Sequence, residues 1–81
     1  MNIYIGNLNY RVKESDLYEA LGKFGSVSSA KLIVDRDTKR SKGFAFVVMD
    51  NDSEAREAIN SLNGTEFLGR AMVVKEALPR D

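Results

Sequence analysis

The sequence predicts a small α+β domain, in which two helices cover one face of a four-stranded antiparallel sheet in the order β-α-β-β-α-β. Three observations predict it. Four segments alternate apolar and polar residues with the period of a strand. Two segments with helical spacing separate the first strand from the second and the third from the fourth. The whole chain has 81 residues, enough for one domain, and folding a chain of this size removes about 60% of its surface from water.

Residues 2–8, Asn-Ile-Tyr-Ile-Gly-Asn-Leu, form the first strand, with Ile3 and Ile5 on one face and Tyr4 and Gly6 on the other. Residues 9–12 read as a loop. From Glu14 to Phe24 the period becomes helical, with Leu17, Ala20, Leu21 and Phe24 at i, i+3, i+4 and i+7. Acids Glu14, Asp16 and Glu19 lie early and Lys23 late, as the helix dipole favours. Gly25 stands where a left-handed residue would end the helix, while the N-cap is Lys13, a poor one, or Ser15.

Val27 to Val34 is a second strand, with Ala30, Leu32 and Val34 inward and Lys31 and Ile33 outward. The polar stretch Asp35 to Lys42 connects it to a third, Gly43 to Met49. There Ala45, Val47 and Met49 share the inner face, and Phe44, Phe46 and Val48 the outer. Asp52 to Leu62 is the second helix, capped by Asn51 or Asp52, with Ala55, Ala58, Ile59 and Leu62 on its apolar stripe. Asn63-Gly64 ends it. An extended piece at Glu66-Phe67 then turns through Leu68-Gly69 into a fourth strand, Arg70 to Lys75, with Met72 and Val74 inward. This is the split βαβ, ferredoxin-like sandwich. The domain is expected over residues 1–78, with 79–81 a short tail.

Composition removes several functions. Without Cys there is no disulfide framework or thiolate metal site, and without His the usual general base and zinc ligand are missing. The acids Asp50, Asp52 and Glu54 suit a helix N-terminus better than a metal site. No enzyme, cofactor or metal is therefore expected. The longest apolar run, Ala45 to Met49, is far short of the roughly 20 residues that span a bilayer. Met1 runs straight into the first strand, so no targeting peptide is expected and a cytoplasmic location is inferred.

The outer face of the sheet is the informative one. Two helices cover only one side, so the other should be polar, yet Tyr4, Phe44 and Phe46 point there. The first and third strands are the central pair of this topology, which places the three rings side by side. Inverting the strand parity would bury Gly6 and Lys31 while exposing Ile3, Ile5, Leu32 and Val47, which is physically worse. Exposed aromatics grouped in this way mark a binding surface, and flat rings suit unstacked nucleobases. Lys42, Lys31 and Lys75 flank the rings, while Arg36, Lys39 and Arg40 occupy the adjacent loop, where they could close over a phosphate. Asn7 and Arg80 complete the polar candidates.

These residues reach a recognisable pattern. Residues 42–49, Lys-Gly-Phe-Ala-Phe-Val-Val-Met, resemble the octamer ribonucleoprotein motif of the RNA recognition motif family. Residues 3–8, Ile-Tyr-Ile-Gly-Asn-Leu, resemble its companion hexamer, and the resemblance extends from about Asn2 to Ala77. Within the family the chain is most similar to short single-domain bacterial RNA-binding proteins, and to the leading domain of plant glycine-rich ones. The resemblance implies that Tyr4 and Phe44 each stack on a base, that Phe46 packs against sugars and that Lys42 pairs with a phosphate. It also implies backbone contacts to a base from Lys75 to Ala77. The octamer usually ends in an aromatic residue; here it ends in Met49, which points inward and so concerns packing.

The expected partner is single-stranded RNA, bound by a monomer in post-transcriptional regulation or RNA chaperoning. Single-stranded DNA stays open, because stacking does not read the 2′-hydroxyl. The alternative is a protein-interaction module using the sheet or the helix face. The charges, 12 positive and 12 negative, sum to zero. They are unevenly spread: Asp50 to Glu57 carries a net −3 and Glu66 a further −1, Arg11 to Lys23 balances, and the remaining sheet, loop and tail positions carry a net +4. That balance opposes a mainly electrostatic interaction and leaves one based on stacking.

Overall fold

The computed structural model describes residues 1–77, so the tail and Arg80 lie outside the described residues. The elements are β1 (Asn2–Gly6), α1 (Glu14–Gly22), β2 (Val27–Val34), β3 (Ser41–Met49), α2 (Asp52–Leu62), β4 (Glu66–Phe67), β5 (Arg70–Ala71) and β6 (Val73–Glu76). Strands β2, β3, β1 and β6 form, in that order, a four-stranded antiparallel sheet, with β1 and β3 at its centre.

Alternation within each strand sends one set of side chains inward. Ile3 and Ile5, Ala30, Ala45, Val47 and Met49, and Val74 are all buried. Against them α1 packs Leu17 and Leu21, and α2 packs Ala55 and Ala58, so a single core fills the space between the sheet and the helices. The two alanines let the α2 backbone approach the sheet closely. Leu8 and Val12 are buried on either side of the β1–α1 loop and pin it down. At its start α2 is capped by Asn51, whose Oδ1 accepts the Glu54 N–H at 3.0 Å. Lys13 offers α1 no side-chain acceptor; instead the Asp16 carboxylate accepts the Lys13 N–H at 2.9 Å.

Strand β1 stops at Gly6 rather than at Leu8, since Asn7 leaves the extended conformation with φ of 58°, and four further sequence expectations are corrected. Helix α1 ends at Gly22 rather than Phe24, and Gly25 is not left-handed. A tight turn, with the Phe24 N–H on the Leu21 carbonyl at 3.0 Å, closes the helix without a left-handed residue. Second, β3 begins at Ser41, two residues before the expected start. Third, Val34 is exposed rather than inward, because the β2–β3 register shifts between Leu32 and Val34 and pairs Val34 with Ser41. Gly43 sits at that irregularity with φ of +84°, a conformation only glycine adopts without strain.

The fourth correction concerns the expected strand Arg70 to Lys75, which is divided. Arg70–Ala71 pairs with Glu66–Phe67 in a two-stranded hairpin, and Val73–Glu76 pairs with β1. At Met72 the chain changes partner: its N–H donates to the Thr65 carbonyl and its carbonyl accepts from Gly64, both at 2.8 Å. The buried Met72 side chain anchors the switch.

Candidate nucleic-acid interface

The register of the central strands assembles the outer face. Tyr4 stands opposite Phe46 across the β1–β3 ladder. Lys75 stands opposite Tyr4 on one side, and Lys31 opposite Phe46 on the other. One row therefore crosses the sheet as Lys31, Phe46, Tyr4, Lys75, a pair of rings flanked by two ammonium groups. Phe44 lies two residues before Phe46 and shares its face.

The three rings form a triangle. Their centroids are 6.0 Å apart for Tyr4 and Phe44, 5.8 Å for Tyr4 and Phe46, and 6.1 Å for Phe44 and Phe46. Interplanar angles of 31°, 62° and 88° are the tilted and edge-on arrangements that ring quadrupoles favour. The rings lean on one another, so each is half-buried with no covering element among the described residues. Gly6 makes room for this: a Cβ there would stand 2.5 Å from the Tyr4 hydroxyl oxygen and 2.8 Å from ring carbon Cε1. The place of glycine in the first strand is thus explained by the Tyr4 ring lying across it. The Lys75 Nζ stands 5.4 Å from the Tyr4 centroid, within cation–π range.

At one end of the face the β2–β3 loop is folded around Asp35. Its carboxylate accepts the N–H groups of Asp37 at 2.8 Å and Thr38 at 3.1 Å. The bonds from Thr38 and Asp37, with a weaker pull from Lys42, hold the Asp35 carboxyl below its ordinary value. The loop then closes on backbone bonds from Asp35 N–H to the Arg40 carbonyl and from Lys39 N–H to the Asp35 carbonyl, at 2.8 and 2.9 Å.

This closure brings Lys39, Arg40 and Lys42 to one recess, together with Tyr10 and Arg11 of the β1–α1 loop. Arg36, though exposed in the same loop, does not line it. Tyr10 and Arg11 are absent from the sequence-derived set, because nothing in the polar run Asn9 to Arg11 announces proximity to residues some 30 positions later. Asn7 is exposed with φ of 58°, and its amide is engaged within the chain. Its Nδ2 donates to the Ala71 carbonyl at 2.7 Å, and its Oδ1 accepts from Arg70 at 2.6 Å. In the structure Asn7 ties the end of β1 to the β4–β5 hairpin.

Among the described residues all fully buried side chains are apolar, and no group of three acidic side chains is arranged to hold a metal ion. No helix among them is long and apolar enough to cross a membrane. A further hollow between α1 and the hairpin, edged by Phe24, Leu62 and Phe67, lies on the helix side away from the rings. The chemistry that the outer face offers is therefore stacking, cation–π contact and anion pairing.

The sequence profile of the RNA recognition motif matches residues 3–73. Over all 81 residues the chain is 44% identical to RbpA of Synechocystis sp., a protein named for RNA binding, and covers 80% of its length. The crystal structure of the RNA-binding protein PG1 superposes with a TM-score of 0.96 at 56% identity, covering 100% of this chain and 98% of that one. A structure of the Rna15 RNA recognition motif with bound RNA (GU) superposes with a TM-score of 0.87 at 26% identity, covering 99% of this chain and 85% of that one.

Proposed function

The chain belongs to the RNA recognition motif family, and from that premise we propose that it binds single-stranded RNA on the open face of its sheet. The observation that carries the reading is the triangle of Tyr4, Phe44 and Phe46, set 5.8 to 6.1 Å apart on the two central strands, with no element over it among the described residues. Each ring offers a π-face that any base can use, and such stacking contributes about 1–3 kcal/mol per base. Tyr4 and Phe44 stack on bases and Phe46 packs against the sugars between them. Lys42, Lys31 and Lys75, with Lys39, Arg40 and Arg36 in the loop, engage the phosphates.

A face of this size takes about two to four nucleotides. The module binds rather than catalyses, acts as a monomer and serves post-transcriptional regulation or RNA chaperoning. The rings do not distinguish ribose from deoxyribose, so stacking by itself admits single-stranded DNA as well. Changing Phe44 and Phe46 together to Ala is expected to weaken RNA binding at least about 30-fold in a fluorescence-anisotropy titration. The circular dichroism of the folded chain should be kept, because the core lies on the opposite face. A folded double variant that binds RNA as tightly as the parent overturns the proposal.

A further inference from the structure

The recess between the β1–α1 and β2–β3 loops has a composition that the three central rings do not account for. Tyr10, at its rim, is 69% exposed, the most exposed large apolar side chain among the described residues. Its turn is well held. Asn9 Oδ1 accepts the Arg11 N–H at 2.9 Å, Asn9 Nδ2 donates to the Leu68 carbonyl at 3.0 Å, and the Val12 N–H bonds the Asn9 carbonyl at 3.1 Å. Leu8 and Val12, both buried, anchor the two sides, and the Leu8 N–H donates to the Gly43 carbonyl at 2.8 Å. The ring is consequently presented by a fixed backbone.

Its position is specific. A Cβ on Gly43 would meet the Tyr10 Cε1 at 4.0 Å, so the ring lies against the backbone between Lys42 and Phe44. Arg11, Lys39, Arg40 and Lys42 surround it in the same recess, and among the described residues none of the four pairs with a carboxylate within 4.0 Å. The one acid there, Asp35, already accepts two backbone N–H groups. An exposed aromatic face inside a ring of free cations, beside an aromatic platform, has the composition of a nucleotide site. The cations meet phosphate and the ring meets a base.

We propose that Tyr10, with Arg11, Lys39, Arg40 and Lys42, forms an additional nucleotide subsite that continues the path of the RNA strand off the sheet, beyond Phe44. The proposal rests on the reading of the sheet face as an RNA site and names where the strand leaves it. Tyr10 supplies the stacking surface, Lys42 is shared with the neighbouring central position, and Arg11, Lys39 and Arg40 hold the phosphates on either side of the added base. The same contacts make the β2–β3 loop part of the site, with Asp35 holding its fold.

The test compares the parent, Tyr10→Ala, Tyr10→Phe and Phe44→Ala with random-sequence RNA oligonucleotides of stepwise increasing length, by fluorescence anisotropy at constant salt. Parent and Tyr10→Ala should bind equally while the oligonucleotide is short enough to lie on the three central rings. They should part by about 5- to 150-fold once one more nucleotide is present. Tyr10→Phe should follow the parent at every length, because stacking needs the ring and not the hydroxyl. Tyr10→Ala matching the parent at all lengths, or losing equally at all lengths, overturns the subsite. Phe44→Ala keeps the two failures apart. If it weakens binding at every length while Tyr10→Ala does nothing, only the subsite fails; if it too binds as the parent does, the reading of the sheet face fails with it.

Discussion

Asp35 shows how one side chain sets the fold of a polar loop. The polar stretch from Asp35 to Arg40 contains nothing to bury, and a run of this kind would otherwise sample many conformations. The carboxylate instead collects the N–H groups of Asp37 and Thr38 and turns the chain back toward β3. Lys39 takes a left-handed φ of 61° in that turn, which aims the chain so that Lys39, Arg40 and Lys42 line one recess. A carboxyl held low in the folded chain contributes only while ionised. Its contribution is complete above the ordinary value of 3.8 and is lost as pH falls below that, through the lowered folded value. In an NMR titration the amides of Asp37 and Thr38 should therefore shift together, with a midpoint below 3.8. Asp35→Ala should remove the transition and speed exchange of both amides at neutral pH. A shared midpoint at or above 3.8 contradicts this account.

At the level of the elements, the sheet has two edges, and side chains from neighbouring segments satisfy N–H groups on both. Two N–H groups of β2 find their acceptors on α1. Ala30 donates to the Tyr18 hydroxyl at 3.2 Å and Leu32 to Glu14 Oε2 at 3.0 Å. On β6 the Val74 N–H donates to Asn63 Oδ1 at 3.0 Å. Unpaired edge groups are a template for adding a strand from another chain, and these three contacts occupy part of that template on both sides. Asn63→Ala leaves the partly buried Val74 N–H without its acceptor. It is expected to lower stability by about 1 kcal/mol in urea unfolding and to raise the hydrogen-exchange rate of Val74 selectively. Unchanged stability and exchange would show that the contact is incidental. None of these partners belongs to the apolar stripes: Glu14 reads as an early acid of α1, Tyr18 lies outside the stripe of Leu17, Ala20, Leu21 and Phe24, and Asn63 reads as a helix terminator.

Across the whole molecule, the division of labour runs through the sheet. One face carries the core, with Ile3, Ile5, Val47 and Val74 fully enclosed, and the other carries the rings. Alternation makes this possible, because a single strand such as β3 supplies Val47 to one face and Phe46 to the other. The charges are divided too. Asp50, Asp52 and Glu54 gather at the start of α2, whereas Lys31, Lys42, Lys75 and the loop cations surround the rings. A neutral chain arranged in this way should bind RNA with a shallow salt dependence, its logarithmic slope about −0.7 for each phosphate engaged. Titration at several salt concentrations measures this directly, and a slope that implies about eight or more phosphates would contradict a stacking-led interface.

Periodicity by itself determines the α+β order, the bounds of β2 and α2 and, Val34 apart, the inward positions of the strands, and with them the outward set of Tyr4, Phe44 and Phe46. Such signals are local: a residue's face is set by neighbours two to four positions away, through the geometry of strand and helix. What tertiary packing decided involves residues far apart in the chain. The change of partner at Met72, the irregularity that exposes Val34, the tie from Asn7 to the hairpin and the meeting of Tyr10 with Lys39, Arg40 and Lys42 all depend on register. Register emerges only when the strands are aligned against the core, and the side chains of Asn9 to Arg11 carry no mark of the segment they will face.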